Sequence, residues 1–440
     1  MTEEDVIKKE DVIKKERLSD YKMMGMPILY FSILSILVII AGFLNVIPLN
    51  LFGGLLVCAV VGEWLAFISV KVKFLHKTLG LAFVTLSAGL LVYFNLVPAN
   101  FVKAATNTIS GNTDFLGFYI VALLCGSIIG MNRKMLIKAG SRFLVPVLGG
   151  VIVSYGLAAL VGSMVGINWK EAIMYVAAPI MGGGNGGGAV PMSQIYASAT
   201  GLAKDVFYPK LFAMVNIGNF VAILFAVILN GIGHKYPKTT GDGVLMSGFS
   251  NEDATKVYSY NMTLGDLAAG LLIGGGFVLF GLIVGSFIPA IHYYAFTIVA
   301  VAACKITGII PERLEFGAVK WYRFMIDHFT IIIMGGVGLA MLSIADLLKV
   351  LTLSYLSVAT AVVIGSVIGA GLCGLLVKFY FVESAITAGL DMAGAGGNGD
   401  IMILSACGRM QLMCFAQISS RLGGGLILVI QSILALILLK

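Results

Sequence analysis

Charged side chains are scarce in this sequence: Asp, Glu, Lys and Arg account for 12% of its 440 residues, while 59% are hydrophobic. Soluble domains carry about 25% charged residues, so this composition excludes an ordinary soluble protein. Apolar segments of about 20 residues, the length of a helix that crosses a bilayer, recur along most of the chain. The short alternating segments of a membrane β-barrel are missing. We therefore predict an all-α polytopic membrane protein.

Several functional motifs are missing as well. The six cysteines form no C-x-x-C pair, so neither a disulfide framework nor a metal site is indicated. The phosphate-binding pattern G-x-x-x-x-G-K-[ST] is absent, so transport by this chain would need an ion or solute gradient as its energy source. The formal net charge is +7, but the basic residues lie in short loops, which membrane topology explains better than nucleic-acid binding. We expect no cofactor and no nucleic-acid partner.

The apolar segments divide the chain into two halves. Residues 1–26 form a charged tail, residues 27–232 the first half, residues 233–264 a polar linker and residues 265–440 the second half. Two apolar segments, at about 170–200 and 381–412, are interrupted by glycines and are too short on either side to cross, so we predict two re-entrant hairpins. The eleven predicted crossings lie at about 27–46, 51–69, 78–97, 115–131, 143–166, 206–232, 266–288, 293–310, 324–345, 352–377 and 424–439.

The basic residues predict the orientation of these crossings. With the N-terminus in the cytoplasm, 22 of the 29 Lys and Arg residues fall inside and six outside, whereas Lys305 lies within a span. The chain is then a multi-pass protein of the plasma (cytoplasmic) membrane with its C-terminus outside. The first hairpin enters from outside and the second from the cytoplasm, so the halves form two inverted repeats, an architecture typical of secondary transporters.

Nearly the same glycine-rich run interrupts each predicted hairpin. Residues 181–189 read MGGGNGGGA and residues 394–400 read GAGGNGD, so both runs contain G-G-N-G. Glycine permits positive φ and lets a ligand approach the backbone, and the helix after each run presents free N–H groups that suit an anion. Close packing of helices through small residues is the alternative explanation. The candidate substrate-binding residues of the two runs are Gly184, Asn185, Gly186, Gly397, Asn398 and Gly399.

Arg421 is the leading candidate for a charged substrate ligand. It lies just after the second hairpin at the start of the last predicted crossing, where an arginine either faces a partner or snorkels to the interface. A guanidinium group binds a carboxylate through two parallel hydrogen bonds. Ser419 and Ser420 would be neutral helpers. Both explanations of Arg421, ligand and snorkelling cation, stay open.

Further polar residues of the second hairpin have candidate roles. Asp400 follows the glycine run directly and would bind Na⁺ or a proton, or cap the following helix. Ser405 is a candidate substrate hydroxyl, with ordinary helix-to-helix hydrogen bonding as the alternative. Arg409 is predicted to lie at the membrane interface, and Asp391 and Glu383 could line the access path.

These residues make the chain resemble the bacterial 2-hydroxycarboxylate transporter family, whose members carry citrate, malate or lactate. The resemblance extends from about residue 25 to the end and rests on residues 182–186, 396–400 and 419–424. It implies a homodimer in membrane lipid, with a scaffold domain at the dimer interface and an elevator-type moving domain that carries both hairpins. It also implies substrate binding by Asn185, Gly186, Asn398, Gly399 and Arg421.

One position departs from this family. Its sodium-coupled citrate members have a second arginine in the C-terminal run, at the position of Ala395. With one guanidinium left, a smaller dicarboxylate such as malate fits as well as citrate. Coupling to Na⁺, coupling to H⁺ and exchange against a product acid all agree with these residues.

The sequence thus predicts a secondary active transporter of 2-hydroxy di- or tricarboxylates that works by alternating access, and no enzymatic activity. One competing hypothesis is the membrane subunit of a Na⁺-pumping decarboxylase, which would also need polar hairpins in the membrane. Another is a passive channel, which conductance measurements would distinguish from gradient-driven accumulation.

Overall fold

The computed structural model describes residues 22–71, 81–109, 111, 113–131, 133, 140–246, 260–288, 291–394 and 396–439. The predicted N-terminal tail therefore lies mostly outside the described residues. The described part is helical apart from a few short elements, among them an antiparallel pair of two-residue strands, β1 (Lys22–Met23) and β2 (Met26–Pro27).

The first half combines long helices with several short ones. They are α1 (Ile28–Phe43), α2 (Leu51–Lys71), α3 (Leu81–Tyr93), α4 (Ala99–Ile109), α5 (Phe115–Ile129), α6 (Gly140–Met164), α7 (Trp169–Glu171), α8 (Ala178–Ile180), α9 (Val190–Thr200) and α10 (Lys204–Lys235). Two π-helical segments, Ala172–Ala177 and Asn185–Ala189, join α7 to α8 and precede α9. We call residues 169–200 hairpin 1.

The second half has a similar order of elements. Its helices are α11 (Leu264–Phe287), α12 (Tyr293–Thr307), α13 (Glu312–Ala340), α14 (Ile344–Val350), α15 (Leu353–Leu376), α16 (Phe381–Ser384), α17 (Gly397–Ala406), α18 (Met413–Ile418) and α19 (Gly424–Leu438). A π-helical segment, Ala385–Leu390, follows α16, and another, Ser419–Gly423, joins α18 to α19. We call residues 381–406 hairpin 2.

Within the described ranges, seven helices are long and apolar enough to cross a membrane. They are α2, α6, α10, α11, α13, α15 and the continuous helix Ser419–Leu438. This confirms the prediction of an all-α polytopic membrane protein. Shorter apolar helices occupy four other predicted crossings, α1, α3, α5 and α12; the count of eleven crossings stays a prediction.

The predicted ninth crossing, 324–345, was wrong at both ends. Helix α13 begins at Glu312 and ends at Ala340, and the separate helix α14 follows it. The charged residues in the first turns of α13 lower its hydropathy, so the predicted crossing left these turns out. In the structure Glu315 is buried there and accepts a hydrogen bond from Lys305 at 2.9 Å. A charge at such a position is tolerated because it is paired.

Two further elements differ from the prediction. The amphipathic helix α4 buries Phe101, Ala104 and Thr108 on one face, and its polar residues hid it from a search for apolar spans. The last crossing was predicted to begin at residue 424, but its helix already starts at Met413 and passes through the π-helical segment. Arg421 therefore lies within a helix rather than at its start.

The helices form two packing groups. Helices α6 and α15 cross each other, and α10, α18, α19 and the two hairpins pack around them; we call this the hairpin group. Helix α13 packs against α2, α3, α4, α5 and α11, which we call the α13 group. Helix α12 contacts α5 and α11 on one side and α19 on the other. The tips of the hairpins lie where these two groups meet, because the tip segment Asn185–Ala189 contacts α5.

Candidate functional site

The chain reverses direction in hairpin 1 at two glycines with positive φ, Gly183 (+79°) and Gly184 (+99°). L-residues with side chains rarely adopt this backbone conformation. The space is closed as well, because a Cβ atom on Gly183 would lie 2.5 Å from the carbonyl oxygen of Ser420. The glycines of this run are therefore required by backbone geometry and by contact with another element.

Hairpin 2 repeats the backbone of hairpin 1 closely. The π-helical segments begin at Ala172 and Ala385, the same interval as between Asn185 and Asn398, 398 − 185 = 213. Gly396 has a φ of +83° and directly precedes α17. In the same way, the two glycines with positive φ in hairpin 1 precede the returning arm of that hairpin. Both hairpins thus combine a π-helical entering arm, a glycine turn and a returning helix.

The two glycine runs lie against each other. A Cβ atom on Gly396 would be 3.1 Å from the carbonyl oxygen of Gly183. A Cβ atom on Gly424, in α19, would be 2.9 Å from the carbonyl oxygen of Gly182. Backbones approach this closely only because side chains are missing, so the glycine runs also serve packing, as the alternative explanation held.

Two helical N-termini therefore meet at one place. The amides of Gly188 and Ala189 bond the carbonyl oxygen of Gly184 at 3.0 and 2.9 Å, and the amide of Asp400 bonds that of Gly396 at 2.9 Å. The first N–H groups of a helix have no partner within it, and they carry the positive end of the helix dipole. An anion between the tips would face both sets of amides.

Asn185 is held by a residue that the sequence analysis missed. Its Nδ2 donates to Oδ1 of Asn216 on α10 at 3.4 Å, while its own buried Oδ1 has no hydrogen-bond partner within the described ranges. Asn219, one turn further along α10, lies beside hairpin 2, since a Cβ atom on Gly399 would be 2.8 Å from its Oδ1. Two asparagines on one face of a spanning helix were the available signal, because intramembrane polar residues indicate functional sites.

Arg421 lies half-buried in the π-helical segment Ser419–Gly423. The centre of the Tyr322 ring, on α13, is 5.9 Å from its guanidinium carbon. In the part of the chain that the structure describes, Arg421 forms no ion pair with a carboxylate. It is therefore a cation in the interior of the membrane domain whose hydrogen-bond donors are available for a ligand.

Two buried carboxylates flank the tip of hairpin 2. The hydroxyl of Ser420 lies 3.0 Å from Oδ2 of Asp400 and also 3.1 Å from the carbonyl oxygen of Ala416. The second oxygen of Asp400 and both carboxylate oxygens of Asp391 are buried without a hydrogen-bond partner among the described residues. Asp391 ends the entering arm and Asp400 stands in the first turn of α17. Such oxygens suit a cation or a proton.

The other predicted residues are placed as follows. Ser419 is buried, and its hydroxyl has no partner among the side chains and backbone that the structure describes. Ser405 is exposed near the end of α17, about 7.5 Å along the helix from Asp400, and contacts the sulfur of Met410 at 3.4 Å. The structure therefore does not bring Ser405 to the tips. The backbone of Gly397 and Asn398 lies in the first turn of α17, whereas the Asn398 side chain and Ala395 lie outside the described residues.

The predictions for Arg409 and Glu383 need correction. Both side chains are buried and form an ion pair. Glu383 also accepts hydrogen bonds from Thr240 Oγ1 at 2.7 Å and from the amides of Gly241 and Gly243 at 2.9 and 3.1 Å. Arg409 is thus not an exposed interfacial cation, and Glu383 does not line an open path. The pair joins the entering arm of hairpin 2 to the chain that follows its returning arm, and Glu383 also binds the start of the linker.

Comparisons with known proteins agree with this arrangement. The model of the 2-hydroxycarboxylate transporter family matches residues 23–433. The chain is 35% identical over 423 residues to the citrate/sodium symporter of Salmonella typhimurium, with 94% of each protein covered. It is 33% identical to the Na⁺-malate symporter of Bacillus subtilis, covering 93% of this chain and 91% of that protein. The malate transporter MleP of Lactococcus lactis is 32% identical, over 95% of this chain and 99% of its own length.

Proposed function

The chain belongs to the 2-hydroxycarboxylate transporter family, and on that premise we propose that it is a secondary active transporter of 2-hydroxy di- or tricarboxylates that works by cation symport or exchange. The family and its named members are transporters. The chain is accordingly a transporter and not an enzyme, and the hypothesis of a decarboxylase subunit is abandoned.

The observation that carries this proposal is the meeting of three positive elements. The amide ends of both hairpins converge where Gly183 contacts Gly396, and the helix that carries Arg421 lies against the same turn. Arg421 forms no ion pair with a carboxylate among the described residues, although Asp400 is close enough to interact with it electrostatically. A substrate with two carboxylates would bind the guanidinium group with one and the helix N-termini with the other, while Asn185 would bind the 2-hydroxyl group.

Malate is the substrate that this site fits better than citrate. Arg421 is the one guanidinium group found at the tips in the described residues. The third carboxylate of citrate would therefore remain without a cationic partner, which costs binding energy in a site removed from water. The relatives do not decide the question, because the named citrate and malate transporters are 35%, 33% and 32% identical to this chain.

The coupling cation is held at the tip of hairpin 2. Asp391 stands at the C-terminal end of the entering arm, the negative end of its dipole. Asp400 contributes an oxygen that has no hydrogen-bond partner among the described residues. Half-helix ends of this kind bind Na⁺ or H⁺ in transporters with broken helices. Na⁺ is favoured by the named symporters among the relatives. Ser420, the residue before Arg421, donates a hydrogen bond to Asp400. Occupation of the cation site would therefore position the substrate ligand Arg421.

Transport proceeds by alternating access of the hairpin group against the α13 group in a homodimer, with the N-terminus inside and the C-terminus outside. The contact of Arg421 with Tyr322 of α13 supports a position of the tips between the two groups. A shift of the hairpin group would therefore move the site relative to α13. The matched hairpins supply one entrance for each side of the membrane.

The test is uptake of labelled malate and citrate into proteoliposomes that contain the purified chain, under an imposed Na⁺ or H⁺ gradient or with internal malate. Arg421→Ala should lower uptake at least about 100-fold, since it removes two charge-assisted hydrogen bonds. Arg421→Lys should retain a fraction, because it keeps the charge without the fork.

Lys349→Ala is the matched control, because Lys349 is a surface cation whose side chain is 74% exposed. It should leave uptake unchanged. Uptake of neither acid by folded protein under any gradient would overturn the carboxylate assignment. Conductance without accumulation would indicate a channel, and citrate uptake faster than malate uptake would overturn the proposed preference.

A further inference from the structure

An apolar groove lies away from the tips, between α11, α12 and the middle of α19. Its volume is about 980 Å³. All its lining residues are apolar, among them Gly276 and Phe280 of α11, Val299 and Ala300 of α12, and Ile433 of α19. The groove therefore offers no hydrogen bonds to a polar ligand, and its occupant must be hydrocarbon.

The groove opens onto the outer surface of the helix bundle. Phe280, Val299 and Ile433 are 49%, 58% and 43% exposed. In the most apolar part of α11 only 17% of residues are buried in the protein. Since α11 is long enough to cross a membrane, this surface meets the acyl chains of the bilayer.

One end of the groove carries a cation with free hydrogen-bond donors. Arg133 donates from Nε to the carbonyl oxygen of Ile306 and from Nη2 to that of Thr307, both at 2.9 Å. Its Nη1 has no acceptor among the described residues. Ile309 and Ile310, which line the groove, follow directly after this contact.

The other charges at this end already have partners. Lys305 pairs with Glu315 at 2.9 Å, and Arg313 pairs with Asp266 at 3.2 Å. Glu312 has an interaction of its own. Among the described residues at this end, Arg133 therefore keeps a hydrogen-bond donor available for an anion.

We propose that the groove binds one phospholipid, whose acyl chains fill it and whose anionic headgroup contacts Arg133. Apolar tails alone give little selectivity, because the surrounding lipid is as apolar as the lining. Selectivity must come from the headgroup, and basic pockets between spanning helices bind anionic headgroups in this way. The loops that contain Arg133 and Arg313 are both predicted to face the cytoplasm, where anionic lipids are enriched.

A lipid fits this place better than a second copy of the chain. The groove is shared by α12, which packs on the α13 group, and by α19 of the hairpin group. A rigid protein surface seated across both groups would tie them together, whereas an acyl chain adapts when one group shifts. The lipid site does not depend on which acid is carried, so it stands or falls separately from the proposed function.

The experiment is native mass spectrometry of the purified full chain with added dioleoyl phosphatidylglycerol or dioleoyl phosphatidylcholine. Wild-type protein should retain one molecule of the anionic lipid about fivefold more tightly than the zwitterionic one, the effect of one basic residue. Arg133→Ala should abolish that preference, and Arg133→Lys should keep most of it.

A matched pair of glycine substitutions tests the groove itself. A Cβ atom on Gly276 or on Gly275 would meet no atom within 4 Å, so both positions accept a larger side chain. Only Gly276 lines the groove. Gly276→Trp should remove the retained lipid, while Gly275→Trp should bind it as wild type does. Val299→Trp, at an exposed position on the groove, replaces Gly276→Trp if that variant does not fold.

Three results would overturn the proposal. One is unchanged lipid retention in both groove-filling variants. Another is equal retention of the two lipids by wild type. The third is efficient disulfide cross-linking between copies of Phe280→Cys, which would show that a second copy covers the groove. If Arg133→Ala preferred the anionic lipid as strongly as wild type does, that result would contradict the headgroup contact in particular.

Discussion

Hairpin 1 and hairpin 2 share a backbone but differ in how they handle charge. Each opens on a short helix whose third residue is a glutamate, Glu171 or Glu383, and continues into a π-helical segment and a glycine turn. Glu171 pairs with Lys210 of α10 in a half-exposed place, where the two side chains are 36% and 21% exposed. Glu383 and Arg409 are 0% and 3% exposed. We call the ion pair of this glutamate the clamp. It is solvated at hairpin 1 and buried at hairpin 2.

The tips of the two hairpins also differ in charge. Hairpin 1 presents the neutral side chain of Asn185, and Gly187 stands at the position that corresponds to Asp400. Hairpin 2 carries the buried carboxylates of Asp391 and Asp400. The proposed anion site thus rests on the backbone of both hairpins, whereas the carboxylates of the proposed cation site belong to hairpin 2.

The largest effect on stability is expected from the buried clamp. Glu383→Ala leaves Arg409 buried without its partner and should lower the free energy of unfolding by about 3–5 kcal/mol. Denaturant titration of the purified protein in detergent measures this loss. Glu383→Ala combined with Arg409→Leu should recover part of it, because no unpaired charge remains. A loss no greater than that of Glu171→Ala would show that burial does not distinguish the clamps.

The glycines of the first tip should differ sharply among themselves. Gly183→Ala forces a side chain into a positive φ and against Ser420, so it should cost about 1–3 kcal/mol and impair uptake. Gly187→Ala should stay within about 0.5 kcal/mol of wild type, because a Cβ atom there meets no atom within 4 Å. Thermal unfolding and malate uptake of the two variants provide the comparison. Similar losses would mean that the tip is less closely packed than the structure indicates.

Removal of the charge from the second tip should separate coupling from folding. Asp400→Asn keeps the shape of the side chain and should reduce Na⁺- or H⁺-driven accumulation of malate at least about tenfold, since it removes a cation ligand. Thermal stability should hardly fall. Asp346→Asn is the control, because Asp346 is an exposed carboxylate paired with Lys349 outside both hairpins. Unchanged gradient dependence in Asp400→Asn would remove Asp400 from the coupling site.

Of the two ion pairs, the smaller effect on stability is expected from the partly exposed pair of Glu171 and Lys210. Glu171→Ala should lower the free energy of unfolding by about 0.2–1 kcal/mol, as is usual for exposed ion pairs. High salt should shrink the difference between this variant and wild type, because mobile ions screen exposed charges. Denaturant titrations at low and high NaCl measure this change. A salt-independent loss of several kcal/mol would place Glu171 in the same class as Glu383.

Local patterns explain what could be predicted. The glycine runs were found because positive φ and close backbone approach need glycine wherever they occur. The spans were found because hydropathy is a property of contiguous residues. Asn216 and Asn219 were missed, since their importance depends on contact with Asn185 and Gly399 in the hairpins. The first turns of α13 were missed because Glu315 is neutralised by Lys305 on another helix.

By itself the sequence determined the membrane class, the family and the positions of the two tips, because apolar length and glycine geometry are written into short stretches of chain. The tertiary structure decided which charges are buried, which are paired and which stay free for a ligand. Glu383 meets Arg409 and Thr240, which are 26 and 143 residues away along the chain. Arg421 lies by an aromatic ring and forms no ion pair with a carboxylate among the described residues. The cost of a buried charge depends on its partner, and only the fold brings such distant partners together.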